Sequence, residues 1–224
     1  MIQSDNRIVM TGSKVKARTR ARRKAERPAE ILDAAFEEFV KEGYAATRLE
    51  DVAARAGVTK GTIYFYFETK ERVFEEMIRH MSQPIFSELH TLAASLDGPY
   101  RGRLRAMMGF LYNRIAEDRV PREILRFLIA EGVRFPELID RHDQEFVRPF
   151  IELFREVVAA GIAAGEFRAT AALEFPDIFM SPALMLNLWA MLFGKRRQID
   201  VEAFIEAHFD LLMNGLSLSR EVGA

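Results

Sequence analysis

The sequence contains no cysteine. That excludes a disulfide framework, a cysteine nucleophile and a thiolate-bound zinc, and it fits a reducing compartment such as the cytoplasm. Histidine is nearly as scarce: His80, His90, His142 and His208 are scattered. The chain also lacks a His-Glu-x-x-His pair, a glycine loop for phosphate and a serine nucleophile elbow, so no enzyme class is indicated. Arg141-His142-Asp143-Gln144-Glu145 could supply a metal ligand or two, but a solvated helix face explains it better. Neither a metal nor any other cofactor is expected. No credible strand pair is present. A long apolar run occurs once, as FPDIFMSPALMLNLWAMLFG over 175–194. Asp177, Asn187, Pro176 and Pro182 within it, with no second span to bury those groups, argue against a membrane helix. A helix apolar nearly all round belongs more often to a core or a subunit interface.

What is present reads as an all-α globular protein of one or two domains, 224 residues long, 49% apolar and 29% charged. The formal net charge of −1 hides an asymmetry. Residues 1–27 carry nine Lys or Arg against Asp5 and Glu26, a formal +7, and the remainder carries −8. A basic arm on a mildly acidic body points to a polyanionic partner at one end; the plain alternative is a solubilising tail. No apolar helical face marks the arm as a mitochondrial transit peptide, and no apolar h-region follows it as in a secretory signal.

Residues 1–26 read as a flexible basic arm. Order is expected to begin at Arg27-Pro28, with Pro28 at a first helical position. Ile31, Leu32, Ala35, Phe36, Phe39 and Val40 then recur at helical spacing, and Gly43 closes the helix. Thr47-Arg48-Leu49-Glu50 has the form of a capping box for a second helix ending near Ala56-Gly57. Thr59 and Thr69 are good N-caps for a third and a fourth. Further stripes predict helices over Lys70–Leu89 with a kink or break at Pro84, around Leu104–Ile115, from Pro121 to Glu131, and from Pro136 to Ala164 with a bend at Pro149. The proline-bearing run 171–193 and a last helix capped by Asp200 bring the total to about nine.

The segment TIYFYF (62–67) favours a strand by local propensity. On a helical wheel of about 100° per residue it divides. Ile63 and Phe67 share one face with Thr59 and Tyr66; Gly61, Thr62, Tyr64 and Phe65 form the other. A phenylalanine pointing outward beside glycine and threonine suits a DNA major groove, where Phe and the Thr methyl can meet a thymine methyl. Glycine lets backbone approach closely, and Tyr and Thr hydroxyls can bond phosphates. Lys60 and Lys70 stand in first helical turns, which already favour an anion. Helix, glycine-containing turn and helix, packed on a preceding helix, make a helix-turn-helix.

RPAEILDAAFEEFVKEGYAATRLEDVAARAGVTKGTIYFYFETKERVF (27–74) resembles the DNA-binding domain of the tetracycline-repressor (TetR/AcrR) family. The matching elements are ILDAAFEEFVKEGY, DVAARAGVTKGTIY and YF-x-TKE, and they span about a fifth of the chain. The resemblance implies a bacterial or archaeal homodimeric regulator with an N-terminal helix-turn-helix domain (27–74) and a divergent helical effector-binding and dimerisation domain (75–224). By position it places Thr59, Lys60, Thr62, Tyr64, Phe65 and Tyr66 on the recognition helix and Lys70 at a phosphate. Two departures stand out. Phe65 occupies a position where members often carry histidine. Arg48 occupies one where a small hydroxyl residue often caps the second helix, so that Thr47 would cap instead and leave Arg48 for a phosphate. The basic arm could lie along the minor groove.

If the resemblance holds, the C-terminal region both dimerises and senses. Leu184, Leu188, Trp189, Leu192, Phe193, Phe204, Phe209 and Leu212 make an apolar surface broader than one stripe needs, which suits a four-helix interface between two copies. Met107, Met108, Phe110, Phe127, Phe150, Phe154, Phe179, Met180 and Met185 are candidate walls of an adaptable apolar pocket, with Asn113 and Arg114 as polar anchors. Plain core is the competing explanation for each. The expected function is a ligand-responsive repressor acting as a homodimer on a palindromic operator, with a small apolar or amphipathic effector. A DNA-binding protein without an inducer, controlled by a partner or architectural, is the alternative.

Overall fold

Helix formation starts well before Arg27-Pro28. The computed structural model of the chain describes the backbone of residues 9–196 and 199–217, with side chains from residue 25 onward except at 195. In it α1 runs Val9–Ala46 and carries Pro28 in its interior. The stretch KVKARTRARRKAER ahead of the proline is rich in strong helix formers, and Pro28 removes only one intrahelical donor. Of the arm expected to be flexible, residues 1–8 lie outside the described residues, and the remainder continues α1. Gly43, at φ +77°, kinks the helix where the sequence places its end.

The other helices are α2 (Leu49–Ala56), α3 (Lys60–Phe67), α4 (Lys70–Ser95), α5 (Tyr100–Glu117), α6 (Val120–Glu131), α7 (Pro136–His142), α8 (Arg148–Ala163), α9 (Ser181–Phe193) and α10 (Val201–Leu216). A π-helical turn, Asp143–Val147, joins α7 to α8 without a break. Among the described residues the ten α-segments therefore form nine rods, and no strand is present. Pro149 cannot donate to the carbonyl of Glu145 and its ring crowds that carbonyl. The predicted bend is taken up by widening the preceding turn to π geometry. Pro84 does not break α4. Asp200 caps α10, accepting from the Ala203 amide at 3.0 Å.

The chain divides into two units, Met1–His80 and Met81–Ala224. In the first, α1 packs on α2 and α2 on α3. Ile31, Ala35, Phe39, Val52, Ile63, Val73, Phe74 and Met77 are buried together with Tyr44. Tyr44 stacks on Phe39 (5.9 Å between centroids) and meets Phe74 edge-on (4.9 Å). In the second unit α5 packs on α8, α9 and α10, and α6 on α9. Its core is built on Leu104, Met107, Met108, Tyr112, Phe154 and Phe179.

Candidate functional site

The strand-favouring string TIYFYF is helical because its neighbours make it so. The Thr59 side chain accepts the amide of Thr62 at 3.2 Å, capping α3, and Gly57, in the left-handed region at φ +64°, closes α2 ahead of it. Burying Ile63 and Phe67 in the core of the first unit, where α3 packs on α2, then outweighs the local preference. Ile63 is 0% and Phe67 6% exposed, whereas Phe65 is 71% and Tyr64 42% exposed. Gly61 is open, with only Thr59 Oγ1 near a would-be Cβ, at 3.8 Å. Tyr66 is half-buried between the two faces, edge-on to Phe65 at 5.1 Å. One apolar ring is thus held out in water by a helix whose other face is locked in a core.

The cations around this helix are positioned by partners within the unit. Lys60 Nζ pairs with Glu50 at 2.6 Å and lies 5.5 Å from the Tyr64 ring centroid. The Glu50 hydrogen bond raises the Lys60 pKa, and the Lys60 hydrogen bond lowers that of Glu50. Lys70 Nζ bonds the carbonyl of Ala45 at 3.2 Å and sits 4.7 Å over the Tyr44 ring. It is thereby held at the first turn of α4, which Thr69 caps through the Arg72 amide at 3.1 Å. The predicted capping box does not form. Thr47 Oγ1 is turned back to the carbonyls of Gly43 (2.7 Å) and Glu38 (3.1 Å), because the kink at Gly43 frees acceptors there. Arg48 occupies the N-cap position of α2 without a side-chain cap bond, and it is exposed.

Between α3 and α4, Glu68 adopts φ +63°, ψ −46°. The Thr69 amide donates to the Phe67 carbonyl at 2.6 Å across it. This is a γ-turn of the rare hand, a strained connection.

The second unit holds a cavity of about 330 Å³ whose walls come from α4, α5, α6, the π-turn region, α8 and α9. Of the predicted pocket residues, Phe110, Arg114, Phe150 and Met180 line it. Met107, Met108, Phe127, Phe154 and Phe179 are buried on helix faces turned into the core. Asn113 and Met185 are exposed. Helical spacing alone does not separate these three outcomes.

Five polar wall residues had no place in the sequence reading of the pocket: Ser82, His142, Asp177, Ser181 and Asn187. His142 is buried, not on a solvated face, and its Nε2 lies 3.2 Å from Ser82 Oγ. Burial lowers its pKa to about 4, against a smaller opposing pull from Asp143. Asn187 stood out in the sequence as the one amide of an apolar run, which was the available signal. Among the described residues no group of three or more His, Asp or Glu is placed to hold a metal, and no helix is long and apolar enough to cross a membrane.

On α9 and α10 the predicted interface residues divide. Leu184, Leu192 and Phe193 are exposed, and Leu211, which the sequence reading omitted, joins them. Leu188, Trp189, Phe204 and Leu212 are half-buried. Phe209 is buried, with the Arg105 guanidinium 4.7 Å from its ring.

Residues 31–77 match the family described as bacterial regulatory proteins, tetR family. The chain is 26% identical over 200 residues to the HTH-type transcriptional repressor KstR2 of Rhodococcus jostii (strain RHA1), covering 87% of this chain and 93% of the relative. Among solved structures it is similar to a transcriptional regulator of the TetR/AcrR family from Thermobifida fusca YX-ER1 (TM-score 0.63, 27% identity, 85% and 98% of the two chains). It is also similar to the transcriptional regulator FadR from Bacillus subtilis in complex with stearoyl-CoA (TM-score 0.65, 21% identity, 84% and 98%). The last likeness is one of fold.

Proposed function

We propose, on the premise that this chain belongs to the TetR/AcrR family of DNA-binding transcriptional regulators, that it is a ligand-responsive repressor acting as a homodimer on a palindromic operator. In this reading residues 27–74 are the DNA-binding domain and 75–224 the effector-binding and dimerisation domain. Exposure of Phe65 and Tyr64 on a helix anchored by Ile63 and Phe67 carries the proposal. Water disfavours such a surface, and a major groove rewards it. Phe65, Gly61 and Thr62 read base edges, while Tyr64, Lys60, Lys70, Thr59 and Arg48 position the helix on phosphates. Tyr66 supports Phe65 from its flank.

Repression is favoured by the relative in Rhodococcus jostii, itself a transcriptional repressor. Ligand control is favoured over an inducer-free regulator by the cavity, whose apolar walls carry a few polar groups, and by FadR, which holds stearoyl-CoA. Exposed Leu184, Leu192, Phe193 and Leu211 on the last two helices favour a dimer built there. An effector would act on α4, which contributes Ser82, Ile85 and Phe86 to the cavity wall and opens at Lys70.

Genomic footprinting tests the reading. It should return inverted half-sites separated by a helical turn or a multiple, in steps of about 10–10.5 bp. In titrations, Tyr64→Ala and Lys70→Ala should weaken binding on all sequences, and Lys70→Ala should flatten the salt slope by about one unit. Footprints without inverted repeats would remove the dimeric-operator reading.

A further inference from the structure

We infer that the cavity of the second unit selects an uncharged amphiphile whose polar end both donates and accepts hydrogen bonds, held between Arg114 and Asn187. The inference rests on the effector reading and narrows it to a ligand class, one of primary amides and alcohols as opposed to carboxylates and amines.

The first observation is a pair of orphaned atoms. Among the described residues, two buried side-chain polar atoms have no hydrogen-bond partner, Arg114 Nε and Asn187 Oδ1, and both residues line this cavity. Asn187 is only 7% exposed. Its orientation is set, because Nδ2 donates to the carbonyl of Pro121 at 3.3 Å, which leaves Oδ1 as the acceptor without a donor. A buried polar atom left unpaired is costly, so it marks a place where a partner is expected. Arg114 lies on α5 and Asn187 on α9, and these helices pack together. One atom is a donor and the other an acceptor. A hydroxyl or primary amide can serve both; an ether or ester cannot.

The second observation is charge. Arg114 does not offer a free cation to an acid. Its Nη2 is 3.3 Å from Glu88 and its Nε 3.9 Å from Asp118. The cavity wall carries one guanidinium, Arg114, and one carboxylate, Asp177, and no other formal charge, since burial keeps His142 neutral. A carboxylate ligand would give up its hydration to meet an arginine whose charge Glu88 and Asp118 already offset, although Asp118 lies beyond hydrogen-bond reach of Nε. An ammonium ligand would meet the guanidinium and has no acceptor to offer Arg114 Nε. Neither gains enough in an apolar site to offset desolvation. The remaining wall is hydrocarbon and aromatic, with Phe86, Phe110 and Phe150 among it, which suits an alkyl or ring body.

The test titrates the full-length protein with four matched probes: octanamide, N,N-dimethyloctanamide, octanoate and octylammonium. Calorimetry gives the affinities, and fluorescence of the lone Trp189, two residues from Asn187, reports occupancy. Octanamide should bind at least about tenfold tighter than the two ions and than the dimethyl amide, which has lost its donors. In Asn187→Leu the advantage of octanamide over the dimethyl amide should fall below about threefold. Tighter binding of either ion, equal binding of the two amides by the wild type, or no binding by any probe would overturn the assignment, as would an undiminished amide preference in Asn187→Leu. Release of operator DNA is read separately. Octanamide that binds without releasing DNA leaves this site standing and removes the effector reading; release by octanoate alone does the reverse.

Discussion

Each unit breaks the inside–outside rule at its own candidate site, and the two sites break it differently. The first holds large apolar rings outside: Phe65 and Tyr64 project from α3. The second holds polar groups inside: Asn187, His142 and Ser82 are buried on a cavity wall. Each departure costs stability, and under the proposed function each would be repaid by a partner, a base edge in one case and a small molecule in the other. Ile63 and Phe154, which obey the rule, report the fold; Phe65, Tyr64 and Asn187, which break it, carry the proposed function.

The largest way to test that contrast is to mutate α3 on both faces. Ile63→Ala should lower the unfolding free energy by about 2–5 kcal/mol in chemical denaturation. Phe65→Ala, two residues away, should change it by no more than about 0.5 kcal/mol. Equal effects would mean that the aromatic face packs in solution.

The buried polar side of the contrast has a pH signature. His142 has its pKa lowered from 6.5 to about 4 by burial. The unfolded chain therefore binds a proton between those values that the folded chain refuses, so stability rises with pH through that window. On acidification from about pH 6.5 to pH 4 the protein should lose about 3 kcal/mol from this group, with no further loss below. His142→Gln should flatten most of the slope. His208, also lowered by burial, leaves a residue of the same sign. A wild-type stability independent of pH over that range would show that His142 is protonated in the folded state.

The smallest effect expected is at the link between α3 and α4. Glu68 is the one described non-glycine residue at positive φ. Glu68→Gly should stabilise the protein by about 1 kcal/mol, the relieved strain being partly offset by the entropy of an extra glycine in the unfolded chain. No gain in melting temperature would show that the turn relaxes without cost.

The helix-turn-helix was legible because its signals are local. Capping threonines, Gly57 and the wheel of TIYFYF each act within a few residues, and α3 has the predicted N-cap, Thr59, and buries the predicted pair, Ile63 and Phe67. The capping box failed because the kink at Gly43 offered Thr47 nearer acceptors in the preceding helix. The start of α1 was missed because Pro28 reads as a boundary while helix formers lie on both sides of it. The cavity was only partly legible. Whether an apolar residue lines a void or fills a core depends on which helices meet. Phe110 and Met107 share a helix and differ in this way. Asn187 and His142 were conspicuous as residues, but their orientation toward one cavity is set by tertiary packing.

The central claim is that α3 reads sequence through an aromatic face. The direct measurement is the affinity of Phe65→Ala for its footprinted operator and for scrambled DNA at one salt concentration. The account predicts that operator affinity falls at least about fivefold while affinity for scrambled DNA stays within about twofold. Equal losses on both would contradict it.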